Sequence, residues 1–168
     1  MRHTITNRHF HGAYILLGFT LFFLAGCSAK KIKIGTPTGA SLGSNVAHTA
    51  STQIGKRYRS GGISPQSGFD CSGLVFWAYQ QHGIQVPRVT TGQVKAGTAI
   101  SRSRLLPGDI LVFREPSAPN KLHTGIYTGN DNFVHSPASG SSVRIDNLNA
   151  THWRNAFISG RRIQFTPN

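Results

Sequence analysis

The sequence predicts an α+β fold in which helices come first and a largely antiparallel sheet of about five to six strands follows. Apolar residues recur at helical spacing from Val46 to Ile54 and again from Leu74 to Tyr79. After Pro107-Gly108-Asp109 the pattern changes to short alternating segments parted by turn residues. Helices followed by a run of short-looped strands define the class.

With 168 residues, the chain is the size of one domain once its first segment is set aside. Residues 1–12 carry Arg2 and Arg8 and no acid, and Ala13 to Leu24 form an apolar run of 12 residues. A membrane-spanning helix needs roughly 20, so the run reads as the apolar region of a secretory signal. Leu24-Ala25-Gly26-Cys27 resembles a bacterial lipobox. That resemblance implies a lipoprotein signal over residues 1–26, with acylation of Cys27 as the new N-terminus. Ser28 rather than Asp after the cysteine implies an outer-membrane lipoprotein facing the periplasm. Two acyl chains, helped by Lys30, Lys31 and Lys33, satisfy what stable anchoring to a lipid bilayer requires. Residues 27–43, rich in Lys, Gly, Ser and Thr, read as a lipidated flexible tether with a reach on the order of 20 Å.

Loss of the signal leaves 16 basic against 5 acidic side chains, formally +11. Such a charge attracts polyanions. An exported protein rarely meets nucleic acid, and no nucleic-acid motif occurs among the Lys and Arg positions. A cell wall with free carboxylates is the better partner.

Residues 44–168 then read as the folded domain. Ser44 is placed to cap a first helix that Gly55 ends. Gly61-Gly62, Pro65 and Gly68 impose turns. Asp70 caps a second helix from Cys71 to His82, with Phe69 stapling onto Leu74 and Gly83 stopping it. A weaker helix covers Thr90 to Ala96. Strands are expected at Ile110–Phe113, Leu122–Thr128, Asn132–Ser136, Ser142–Asp146 and Ala156–Ile163.

The chain has two cysteines, and the lipobox claims Cys27. Cys71 is therefore a lone thiol in a compartment that pairs thiols, which points to a reactive role. It sits at the first turn of the best-capped helix, whose free N–H groups favour a thiolate. Five histidines follow the signal. His48, His82 and His152 read as surface residues. His123 and His135 flank the tight segment Gly129-Asn130-Asp131. If the hairpin pairs residues whose numbers sum to about 258, the two are direct cross-strand neighbours; an odd sum would separate them. On one face, His123 can serve Cys71 as base while His135 orients it.

Six ordered segments carry a family resemblance: Tyr58 to Gly62, Gly68 to Leu74, Val86-Pro87-Arg88, Leu106 to Asp109, His123 to Tyr127, and Phe133-Val134-His135. Together they resemble the NlpC-type, papain-like cell-wall cysteine peptidases over about residues 45–163. The resemblance implies a papain-like fold and hydrolysis of peptidoglycan stem peptides, typically between D-glutamate and diaminopimelate or lysine. It also implies Cys71 as nucleophile, His123 as base, His135 as third member, and Asp70 and Ser72 along the groove. Tyr58 is implied beside the cysteine, where its hydroxyl could bind the oxyanion or substrate; a core aromatic is the other reading of Tyr58. Arg57 stands where proline is usual and Thr124 where valine is usual. Arg59 and Arg88 are the cations nearest the motifs, either meeting substrate carboxylates or lying on the surface. No cofactor is implied, and Cys71, His123 and His135 lack the tight spacing of metal ligands. An amidase or acyl transferase on the same fold, and a non-catalytic lipoprotein binding the envelope, are the alternatives.

Overall fold

The computed structural model describes residues 39–164. The expected signal, Cys27 and most of the tether lie outside them. Among the described residues, no helix is long and apolar enough to cross a membrane.

The first helix, α1, spans Gly39–Ser51. It starts before the expected cap Ser44, so the last residues assigned to the tether are helical. Packing accounts for the difference: a Cβ on Gly43 would collide with the Pro107 carbonyl, so only glycine lets this turn sit on the Pro107-Gly108 segment. Val46, Ala47 and Ala50 of α1 are buried in one core cluster with Leu74, Val75, Ala78 and Tyr79. Those four lie on α2, Cys71–Gln80. A small hairpin of β1, Ile63–Ser64, and β2, Gly68–Phe69, precedes α2. Phe69 belongs to the same cluster as Leu74, in keeping with the expected staple. α3 is a single turn, Thr90–Gln93, shorter than the helix expected to Ala96.

Six strands form the main sheet, in the order β3-β8-β4-β5-β6-β7. They are β3 Thr98–Ile100, β4 Ile110–Arg114, β5 Leu122–Gly129, β6 Asn132–His135, β7 Arg144–Asn147 and β8 Phe157–Arg162. Every neighbouring pair is antiparallel. Sequence reading anticipated five of the six and missed β3, a three-residue segment with two exposed positions. It also missed α4, Thr151–Ala156. One sheet face meets the helices through Ile110, Ile126 and Val134. The other carries Leu111, Phe113, Tyr127 and Phe133 under Trp153 of α4.

The β5–β6 hairpin decides where the histidines go. Its two-residue turn, Asn130-Asp131, has φ of 51° and 57°, as the tight primed turn of a hairpin requires. Next to the turn Gly129 pairs with Asn132, but a bulge follows, and beyond it Ile126 pairs with Val134. The expected sum of about 258 is therefore 260 along the strand body. Without the bulge the odd sum at the turn would persist and throw His123 and His135 onto opposite faces. With it they share a face and meet diagonally, because Gly125 stands opposite His135. A Cβ on Gly125 would lie 3.0 Å from His135 Cβ and 2.9 Å from both Phe133 Cδ2 and the Val134 carbonyl oxygen.

Gly125→Ala is accordingly expected to destabilise the protein by about 1–3 kcal/mol, the usual cost of overfilling a packed site. Urea unfolding measures it; a midpoint equal to that of the parent chain would contradict the packing argument.

Candidate active site

Cys71 is the first residue of α2, and Asp70 before it is the cap. The Asp70 carboxylate accepts from Gly73 N at 2.6 Å and from Gly61 N at 2.9 Å. Arg88 donates to both of its oxygens, at 3.1 and 2.8 Å, and to Ser72 Oγ at 3.0 Å. Asp70 and Ser72, expected along a groove, thus form a network with Arg88 that locks the start of the helix. Arg88 is engaged here, neither a loose surface cation nor a free carboxylate binder. Arg59 is exposed.

The Cys71 thiol is partly exposed and free, with Thr90 Oγ1 at 3.8 Å. Tyr58 lies close enough to feel it. Partial burial first, then the charges of Cys71 and Asp70, push the Tyr58 phenol above its ordinary value. That phenol stays protonated and can donate.

His123 and His135 are 2 % and 0 % exposed. His123 Nε2 and His135 Nδ1 share a hydrogen bond of 2.8 Å. His135 Nε2 is 3.0 Å from Asp146 Oδ2, to which Trp153 Nε1 also donates at 2.9 Å. The two rings sit among Phe113, Phe133 and Trp153. Burial, then the neighbouring His135, pushes His123 down to about 3 against the opposing pull of Asp146. Burial lowers His135 as well, although Asp146 opposes it. Burial alone would raise Asp146, yet hydrogen bonds from His135, Arg144 and Trp153 outweigh it and hold the carboxyl well below the usual range. Two neutral imidazoles backed by one carboxylate result.

Sequence reasoning missed what joins the two halves. Gln93 is fully buried, and its Nε2 donates to the carbonyls of Ser72 and Pro87, each at 2.9 Å. Its Oε1 accepts from Thr124 Oγ1 at 2.9 Å. One amide therefore ties the residue after Cys71 to the residue after His123, while α2 packs on β5. Thr124 in place of valine supplies the hydroxyl for that tie. A buried glutamine has no periodic signature, and only a hydroxyl next to a candidate base hinted at it.

The architecture is that of a papain-like fold. A model of the NlpC/P60 family matches residues 55–162, and the chain belongs to that family. Murein DD-endopeptidase MepH of Escherichia coli K12 is 40 % identical over 118 residues, covering 68 % of this chain and 43 % of that protein. The probable endopeptidase NlpC of the same strain is 36 % identical over 157 residues, covering 89 % of this chain and 99 % of its own. Among solved structures, an NlpC/P60 family protein from Bacillus cereus superimposes with a TM-score of 0.66 at 32 % identity, covering 77 % of this chain and 41 % of that one.

The buried neutral histidines have a consequence for acid stability. On unfolding, His123 returns to the ordinary value of 6.5. Below that pH the unfolded chain binds more protons than the folded one, and stability falls with pH. The contribution is whole above about pH 6.5 and is lost toward about 3. Urea midpoints are expected to decline across this window, less steeply in His135→Asn, which removes one titrating ring. Parallel declines would contradict the assignment.

Proposed function

We propose that the protein is a cysteine-type peptidoglycan endopeptidase that hydrolyses stem-peptide amide bonds through Cys71, His123 and His135. The observation that carries this reading is the hydrogen-bonded, buried His123–His135 pair in a chain whose lone described thiol opens a capped helix. Membership of the family and the endopeptidase names of its relatives support the substrate class. A bond between D-glutamate and diaminopimelate, or a crosslink, is the proposed point of cleavage.

In this mechanism His123 takes the thiol proton, and Cys71 sulfur attacks the amide carbonyl. The backbone N–H of Cys71 and the Tyr58 hydroxyl hold the oxyanion, each such donor being worth roughly 3–4 kcal/mol. His123 then passes its proton to the departing amine, and water releases the acyl group from sulfur. His123 enters this cycle neutral, as a proton acceptor must. Acylation at Cys27 and residence at the outer membrane, facing the periplasm, complete the reading; the basic charge favours a wall rich in carboxylates.

The test is digestion of purified peptidoglycan by the full chain in detergent, with fragments identified by mass spectrometry. Stem-peptide fragments are expected from the parent chain and none from Cys71→Ala. Fragments from both would remove Cys71 from the chemistry, and products of an amide transfer would favour the acyl-transferase alternative.

A further inference from the structure

We propose that Asp146 is a positioning residue that sets the tautomers of both histidines, making Nδ1 of His123 the nitrogen that receives the Cys71 proton. This deepens the proposed function and rests on it for the identity of the reacting thiol.

The argument is one of donors and acceptors. An ionised carboxylate only accepts. Asp146 Oδ2 lies 3.0 Å from His135 Nε2, so the proton of a neutral His135 resides on Nε2. Its Nδ1 is then a lone pair, and it lies 2.8 Å from His123 Nε2. His123 must donate from Nε2, leaving its own lone pair on Nδ1. The reverse order would set the lone pair of the buried His135 Nε2 against a carboxylate oxygen with no proton between them.

Asp146 is held for this task from three sides. Trp153 Nε1 donates to Oδ2 at 2.9 Å. Arg144 donates to Oδ1 at 3.1 Å and to Oδ2 at 3.1 Å, and it is half exposed. Trp153 also lies across both imidazoles, with centroids 5.6 and 5.0 Å away. Charged and titratable groups around the chain are therefore His123 on β5, His135 on β6, Arg144 on β7 and His152 on α4. His152 is itself paired with Glu115 at 2.9 Å. During the reaction the thiol proton moves to His123 Nδ1 and later to the leaving amine. His135 and Asp146 keep their own protonation, and the fixed negative charge steadies the transient imidazolium.

The experiment uses the full chain in detergent, labelled with ¹⁵N-histidine, as parent and Asp146→Asn. In the parent, NMR is expected to show His123 protonated on Nε2 and bare on Nδ1. In Asp146→Asn, kcat for stem-peptide hydrolysis is expected to fall at least about 10-fold with KM little changed, as when an orienting carboxylate is neutralised. Its histidines should show mixed tautomers while thermal unfolding stays cooperative. A parent with the His123 proton on Nδ1 overturns the inference, as does a folded variant with unchanged kcat and tautomers. The tautomers are read without substrate, so failure of the endopeptidase reading and failure of this assignment give different results.

Discussion

Two uncharged imidazole rings share a hydrogen bond in a place closed to water, and much of the sheet is arranged to make that possible. An unpartnered buried donor or acceptor costs about 1–3 kcal/mol, so His123 and His135 are tolerable only in register with each other and with Asp146. Register is supplied by the bulge in β5 and the bare position at Gly125. Closure is supplied by Trp153, which packs against both rings while its indole N–H satisfies the carboxylate. The second core cluster is thus the housing of the histidine pair as much as a source of stability.

The other half of the site is built by a different device. Asp70 fixes the first turn of α2 through Gly73, Gly61 and Arg88. Charge-assisted contacts of this kind are stronger and more directional than neutral ones. Gln93 then spans the two halves, using both donors and its acceptor on Ser72, Pro87 and Thr124. Farther off, Asp109 receives Arg162 at 2.9 and 2.7 Å and the Leu106 N–H at 2.9 Å. That pins the Leu106 to Asp109 turn on which α1 rests through Gly43. Rigid elements thus hold both Cys71 and the histidine pair, as the proposed chemistry demands.

Local features of the sequence were legible because their causes are local. The cap at Asp70 and the staple at Phe69 each depend on a few adjacent residues and form as expected. β4 and β5 stand where strands were expected, although their burial is unbroken rather than alternating because both sheet faces are covered. Parity put the two histidines on one face, yet the sum of 258 was off by two: a bulge is set by the turn and strand twist together, and no residue type announces it. Asp146 and Gln93 were invisible for a related reason, since the histidine that Asp146 serves lies 11 residues away along the chain and the Ser72 and Thr124 groups that Gln93 joins lie 21 and 31 away. A polar side chain gives no sign of which distant group will need it. Arg88 was weighed as a free cation because its counter-charge, Asp70, lies 18 residues earlier.

The central claim, that Cys71 forms the covalent intermediate, is tested most directly by trapping it. The full chain would be mixed with a purified stem peptide, quenched in acid within milliseconds to seconds, and digested for peptide mapping by mass spectrometry. The account predicts the acyl half of the peptide attached to the fragment bearing Cys71, in the parent chain and not in Cys71→Ser. Turnover without any adduct on that fragment, or an adduct elsewhere, would contradict it.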